Sequence, residues 1–328
     1  MPVARRPDPM PVLCLLANAF VWGVSWWPFR QLNALGLHSL WATSFAFLVS
    51  TMVITLWRAR AWPALLANPG LIWLLLAAGV TNAAFNWGVM IGEVVRVVLL
   101  FYLMPVWSVL LARWLLGERM SAAAVLRIAL ALCGAAIVLW DPAIGLPLPS
   151  SLPDALGLIG GMSFALVNVM VRRHAAAPDS TRALAMFVGG FVVAGGFAVL
   201  LSSGGRIAPL PPASFAWIAG ASALALALLA ANFALQYGAA RLPAGVTALV
   251  MLSEVLFAAL SAAWLGGEAL SLPMLAGGAL ILVAAGLASL PGMRPASDGH
   301  APVEIVHSGR ERAADARNDQ SPVTRTTP

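Results

Sequence analysis

Between residues 11 and 290 the chain alternates long apolar runs with short breaks that are polar or rich in Pro and Gly. Taking those breaks as boundaries gives ten segments: 11–30, 38–58, 70–91, 95–116, 121–140, 153–172, 182–203, 214–237, 243–265 and 270–290. About 20 apolar residues cross the hydrocarbon layer as a helix, and a backbone in lipid must satisfy its own hydrogen bonds. Each segment is therefore predicted as a transmembrane helix, and the fold class is all-α integral membrane. Residues 1–10 read as an N-terminal segment, with Arg5 and Arg6 ahead of an apolar run that no small-residue cleavage site follows. That run is expected to be the first span, retained in the mature protein. Residues 291–328 are polar, charged and Pro-containing, and are expected to be a disordered tail.

Composition supports this reading. Apolar residues make up 61%, charged residues 10%, and the mean hydropathy is +0.88. A soluble domain has about half apolar and a quarter charged residues. The net charge of +6 comes from Arg residues scattered between spans, with no Lys in the chain, so it does not suggest nucleic-acid binding. Cys14 and Cys133 lie in apolar runs without metal-ligating neighbours, so neither disulfide nor metal is expected. Orientation follows the Arg bias. With the N-terminus in the cytoplasm and the tail left out, eleven Arg fall inside (among them Arg58, Arg60, Arg113, Arg119, Arg172, Arg182 and Arg241) and three outside: Arg30, Arg96 and Arg206. Both termini are then cytoplasmic, which for a bacterial protein places the chain in the inner membrane.

A repeat runs through the pattern at an offset of 150 residues. "NAAFNWG" (82–88) matches "NFALQYG" (232–238), and "LLARWLLGERMS" (110–121) matches "LSAAWLGGEALS" (260–271). The second pair shares Trp114/Trp264 and Glu118/Glu268, matches that an Ala- and Leu-rich composition does not supply by chance. The chain thus reads as two five-helix copies, 11–140 and 153–290, joined by an external linker at 141–152. Five is odd, so the second copy enters the membrane from the other side. Inverted repeats of this kind recur in secondary transporters, with the substrate site near the midplane between them.

These motifs, above all "LMPVWSVLLARWLLGERMS" and its echo, resemble the EamA family of the drug/metabolite transporter superfamily over residues 11–290. The Trp-rich pattern is most similar to its aromatic amino-acid exporter (YddG-type) branch. The resemblance implies a basket of ten helices around a central cavity, exporting amino acids or related metabolites. It also implies that Asn82, Asn86, Tyr102, Met104, Phe164 and Asn168 line that cavity. One departure is visible: where the family often has a second proline matching Pro105, this chain has Val255.

The residues supply a reading of their own. Asn82 and Asn86, four apart, share a helix face, as do Asn232 and Gln236, with Trp87 and Tyr237 one position further on. The two faces converge if the halves are related by a two-fold axis in the membrane plane. Four amides offer donors and acceptors without formal charge, which suits a zwitterionic ligand. The alternative is that they hydrogen-bond helix to helix at about 0.6–2 kcal/mol each. Glu254 lies mid-span, where an ionised carboxylate costs about 2.5–3.5 kcal/mol. It serves either a substrate ammonium or a proton, or it is held by Ser253, Asn232 or Tyr102. Glu118 and Glu268 read as helix caps. Trp57, Trp62, Trp73, Trp140 and Trp217 read as interfacial anchors.

The expected function is a secondary transporter that exports aromatic or other bulky neutral amino acids, or related metabolites, by alternating access. A drug or quaternary-amine carrier of the same superfamily is the alternative, or a channel. An enzyme is disfavoured, because no catalytic pair lies within the spans, and no phosphate-binding loop provides for ATP. No cofactor is expected. The expected partners are a small-molecule substrate and the bilayer, with the chain acting as a monomer.

Overall fold

The structure, a computed structural model, describes residues 9–116, 122–140, 148–242 and 244–287. Fourteen helices run in order: α1 (Met10–Val24), α2 (Trp26–Ala34), α3 (Ser39–Trp57), α4 (Ala61–Leu66), α5 (Leu71–Ile91), α6 (Val94–Phe101), α7 (Met104–Leu116), α8 (Ala122–Leu139), α9 (Leu152–Arg173), α10 (Asp179–Ser203), α11 (Phe215–Ala239), α12 (Ala244–Met251), α13 (Ser253–Leu265) and α14 (Leu272–Leu287). No strand occurs among the described residues. The helices are apolar nearly all round, as spans buried in lipid or protein must be.

Eight helical stretches are long and apolar enough to cross a membrane, starting at Met10–Ala34 and ending at Phe215–Ala239. This is a multi-pass membrane protein. The ninth and tenth expected spans, 243–265 and 270–290, appear as shorter apolar helices, Leu249–Leu265 and Leu272–Leu287. The expected cap at Glu118, most of the linker and the tail lie outside the described residues. Large apolar side chains face outward, where acyl chains take the place of water. Trp114 and Trp264, 150 residues apart, are 80% and 87% exposed.

Three helices are interrupted where the backbone demands it. The first span breaks at Ser25, ahead of Pro28, and the Ser25 hydroxyl donates to the Trp22 carbonyl at 2.8 Å. The fourth breaks at Tyr102–Leu103, because Pro105 has no N–H and its ring crowds the carbonyl four residues earlier. At N2 of α7 that missing donor is harmless. The ninth breaks at Leu252, 150 residues after the fourth, although no proline follows. There the Ser253 hydroxyl donates to the Val250 carbonyl at 2.7 Å, relieving one group that the break frees.

The two halves of the chain interlock: α5 packs on α9 and α10, α3 on α10, α1 on α11 and α13, and α8 on α14. Glycines set the closest approaches. A Cβ on Gly189 of α10 would lie 2.0 Å from the Leu75 carbonyl oxygen of α5, and one on Gly134 of α8 would lie 2.5 Å from the Gly277 oxygen of α14.

Two of the three ion pairs among the described residues lie at the end of the bundle opposite Met10; the third, Arg182 with Asp179, is at the Met10 end. Arg96 binds Asp154 through two contacts, at 2.6 and 3.0 Å, and donates to the Val138 carbonyl at 2.9 Å. Asp154 belongs to an N-terminal capping arrangement in which its own N–H donates to Ser151 Oγ at 3.3 Å. Arg30 lies 4.6 Å above the Trp26 ring and pairs with Glu268 at 3.1 Å, while Glu268 Oε2 accepts from the Val94 N–H at 2.9 Å. Glu268 therefore caps a helix, but α6 across the bundle rather than α14, which follows it.

Candidate functional site

A cavity of ≈ 350 Å³ opens where the breaks of the fourth and ninth spans meet. The Tyr102 hydroxyl, at the end of α6, donates towards the Met251 carbonyl and the Glu254 carboxyl, each at 3.3 Å. Residue 102 lies at one break and 251–254 straddle the other, so a single side chain links the two interruptions.

Of the residues expected to bind substrate, Asn82, Tyr102, Met104, Phe164, Asn232 and Glu254 line this cavity. Asn82 and Asn232 thus reach one space from opposite halves of the chain. The cavity also takes in residues that carry no polar mark in the sequence, notably Phe47, Phe85, Phe101 and Phe187, together with Trp22 and Asn18. Phe101 forms the hub of an aromatic group, with ring centroids 4.8 Å from Phe85 and 5.5 Å from Phe164. The lining residues cluster from the middle of the helices towards the Met10 end, as Met186 on α10 and Leu235 on α11 indicate. At the other end of the bundle stand the Arg30–Glu268 pair and Trp26, whose Nε1 donates to Ser261 Oγ at 2.9 Å.

The other expected residues lie elsewhere. Asn86 is fully buried and donates to Thr43 Oγ1 at 3.0 Å, joining α5 to α3. Trp87 meets the His38 ring edge-on at 5.5 Å. Burial lowers the pKa of that imidazole, whose Nδ1 accepts from the Leu40 N–H at 3.2 Å. Asn168 and Gln236 are exposed, although Gln236 donates to Asn232 Oδ1 at 2.7 Å and so orients an amide of the lining. Tyr237 is also exposed, beneath the Arg241 guanidinium at 3.6 Å. Ser253 is taken up by its own helix break. For Asn86 the interhelical alternative is thus the geometry observed. Asn86→Ala should lower thermal stability by about 1–3 kcal/mol, since Thr43 loses its partner, while ligand affinity stays within about twofold. Parallel thermal-unfolding and binding curves on the purified variant check this.

The fold and the cavity define a class: a multi-pass helical membrane protein with a solute-sized chamber at two facing helix breaks. Residues 9–140 match the model of the EamA-like transporter family. A solved crystal structure shares the fold at a TM-score of 0.50 and 16% identity, covering 85% of this chain and 96% of its own. A search of curated proteins finds no match. Among the described residues no group of His, Cys, Asp and Glu is placed to hold a metal.

Proposed function

We propose that this protein is a secondary transporter that exports amino acids with aromatic or other bulky neutral side chains, or related metabolites, across a bacterial inner membrane. In this reading the chain crosses the membrane ten times as two inverted five-helix copies, with both termini in the cytoplasm. The second half, beyond the family match, is a diverged copy of the first. One observation carries the reading. The helix breaks at residues 102–103 and 252, separated by the repeat offset, face each other across a cavity that Asn82 and Asn232 enter from the two halves. Discontinuous spans at a repeat interface supply unpaired backbone groups and room for a solute at the midplane.

The cavity reaches towards the Met10 end, and ion pairs stand at the other, which suits loading from the cytoplasm. Alternating access then consists of opening the Arg30–Glu268 end while the Met10 end closes. Counterflow in vesicles containing the purified protein tests this. With unlabelled solute inside and a trace of labelled aromatic amino acids or their amines outside, at least one labelled solute should accumulate transiently above equilibrium. Simple equilibration at channel-like rates, or no movement of any solute, would refute the proposal.

A further inference from the structure

We propose that, within the transport reading above, on which this rests, the related metabolites are preferred to the amino acids themselves: arylalkylamines, cations without a carboxylate, which Glu254 recognises from within the cavity. Glu254 is the one residue of the lining that carries formal charge when ionised, since no Arg or His borders the cavity among the described residues and the chain has no Lys. Two arginines at the end opposite Met10 are engaged elsewhere. Arg30 holds Glu268 and the Gly92 carbonyl, and Arg96 holds Asp154. A substrate carboxylate would therefore enter a low-dielectric chamber with no cation to meet and an acid already present.

The polar groups lean the same way. Asn82 Nδ2 donates to the Ala78 carbonyl of its own helix at 2.8 Å, and Asn18 Nδ2 is directed at Met251 Sδ at 3.5 Å. Asn18 Oδ1 is buried without a donor. It belongs to the same cluster as Glu254, because both Asn18 and Tyr102 contact Met251 and Tyr102 reaches the carboxyl. This corner of the cavity is thus rich in acceptors and short of donors. An ammonium group is the complement, with three donors and no acceptor. Beside it stands the Phe101, Phe85 and Phe164 group, which offers an apolar wall for an aromatic body and ring faces that attract a cation. The amides, read from sequence as suited to a zwitterion, orient the amine and its chain.

Three ligands that share one ring system separate the terms: tryptamine (cation), tryptophan (zwitterion) and tryptophol (neutral). Their binding to the full-length protein in nanodiscs is measured by competition and calorimetry. Tryptamine should bind at least about tenfold more tightly than tryptophan, a difference of about 1.4 kcal/mol. Glu254→Gln should remove most of that advantage and leave tryptophol unchanged, while Glu254→Asp should keep part of it. Tryptophan binding as well as tryptamine, or Glu254→Gln weakening tryptophol as much as tryptamine, would overturn the inference. Vesicles that exchange tryptophan and not tryptamine would sink the amine preference and leave the transport reading standing. Vesicles that exchange none of the three, or any other solute, would sink both.

Discussion

Gly189→Val should leave almost no correctly folded protein. Even the first carbon of the new side chain would sit 2.0 Å from the Leu75 carbonyl oxygen and 2.8 Å from its carbonyl carbon. Both are backbone atoms of α5, so no rotamer change relieves the overlap and the helices must separate. Gly79 faces the same crossing, its own Cβ position 2.4 Å from the Gly189 oxygen, so α5 has no slack there. Overfilling a tight core costs about 1–3 kcal/mol where side chains can yield, and more where only backbone can. Against a typical total of about 5–15 kcal/mol, that decides whether the bundle assembles. The control lies seven residues on: a Cβ on Gly196 would meet nothing within 4 Å. Gly196→Ala should be neutral, or stabilising by about 0.5–1 kcal/mol, because alanine is the better helix former. The monodisperse fraction in size-exclusion chromatography and the thermal midpoint should separate the two variants clearly.

Glu268→Ala should slow exchange by about tenfold without emptying the cavity of ligand. Glu268 performs two tasks at the end opposite Met10: it neutralises Arg30 and accepts the first N–H of α6. Its side chain is 14% exposed, so solvent only partly replaces what is lost. Breaking such a pair costs more than the pair itself contributes, because Arg30 remains above the Trp26 ring without its counter-charge. A loss of about 1.4 kcal/mol shifts a two-state equilibrium tenfold towards the form open at that end. Binding measured in detergent should change little, since neither residue lines the cavity. Unchanged exchange would mean that this closure is not part of the cycle.

Length and apolarity alone made eight long apolar helices legible in the sequence, and the 150-residue repeat was read from Trp and Glu matches that chance rarely supplies. The sequence was less informative about direction around each helix. Asn82 and Asn86 share a face, yet one reaches the cavity and the other Thr43, because α5 is enclosed by α3, α9 and α10 and several of its directions are interior. A soluble helix would mark its inner face by a contrast between polar and apolar sides. Here lipid-facing and protein-facing positions are equally apolar, so Phe85, Phe101 and Phe187 gave no sign of lining a chamber. Both breaks emerged only from the backbone: Pro105 stands beside the one at Tyr102–Leu103, whereas the one at Leu252 has no proline. The partner of Glu268 lies 238 residues away, beyond any local signal.

One chamber, at the meeting of two broken helices, should face one side of the membrane at a time. Asn82→Cys, in a background lacking Cys14 and Cys133, places a thiol in that chamber, and a membrane-impermeant maleimide reports which side reaches it in sealed vesicles. Labelling is expected from the Met10 side in the resting protein, and from the opposite side once Glu268→Ala is added. Labelling from both sides at once at the same rate in the resting protein, or from neither in any variant, would contradict that one-sided access.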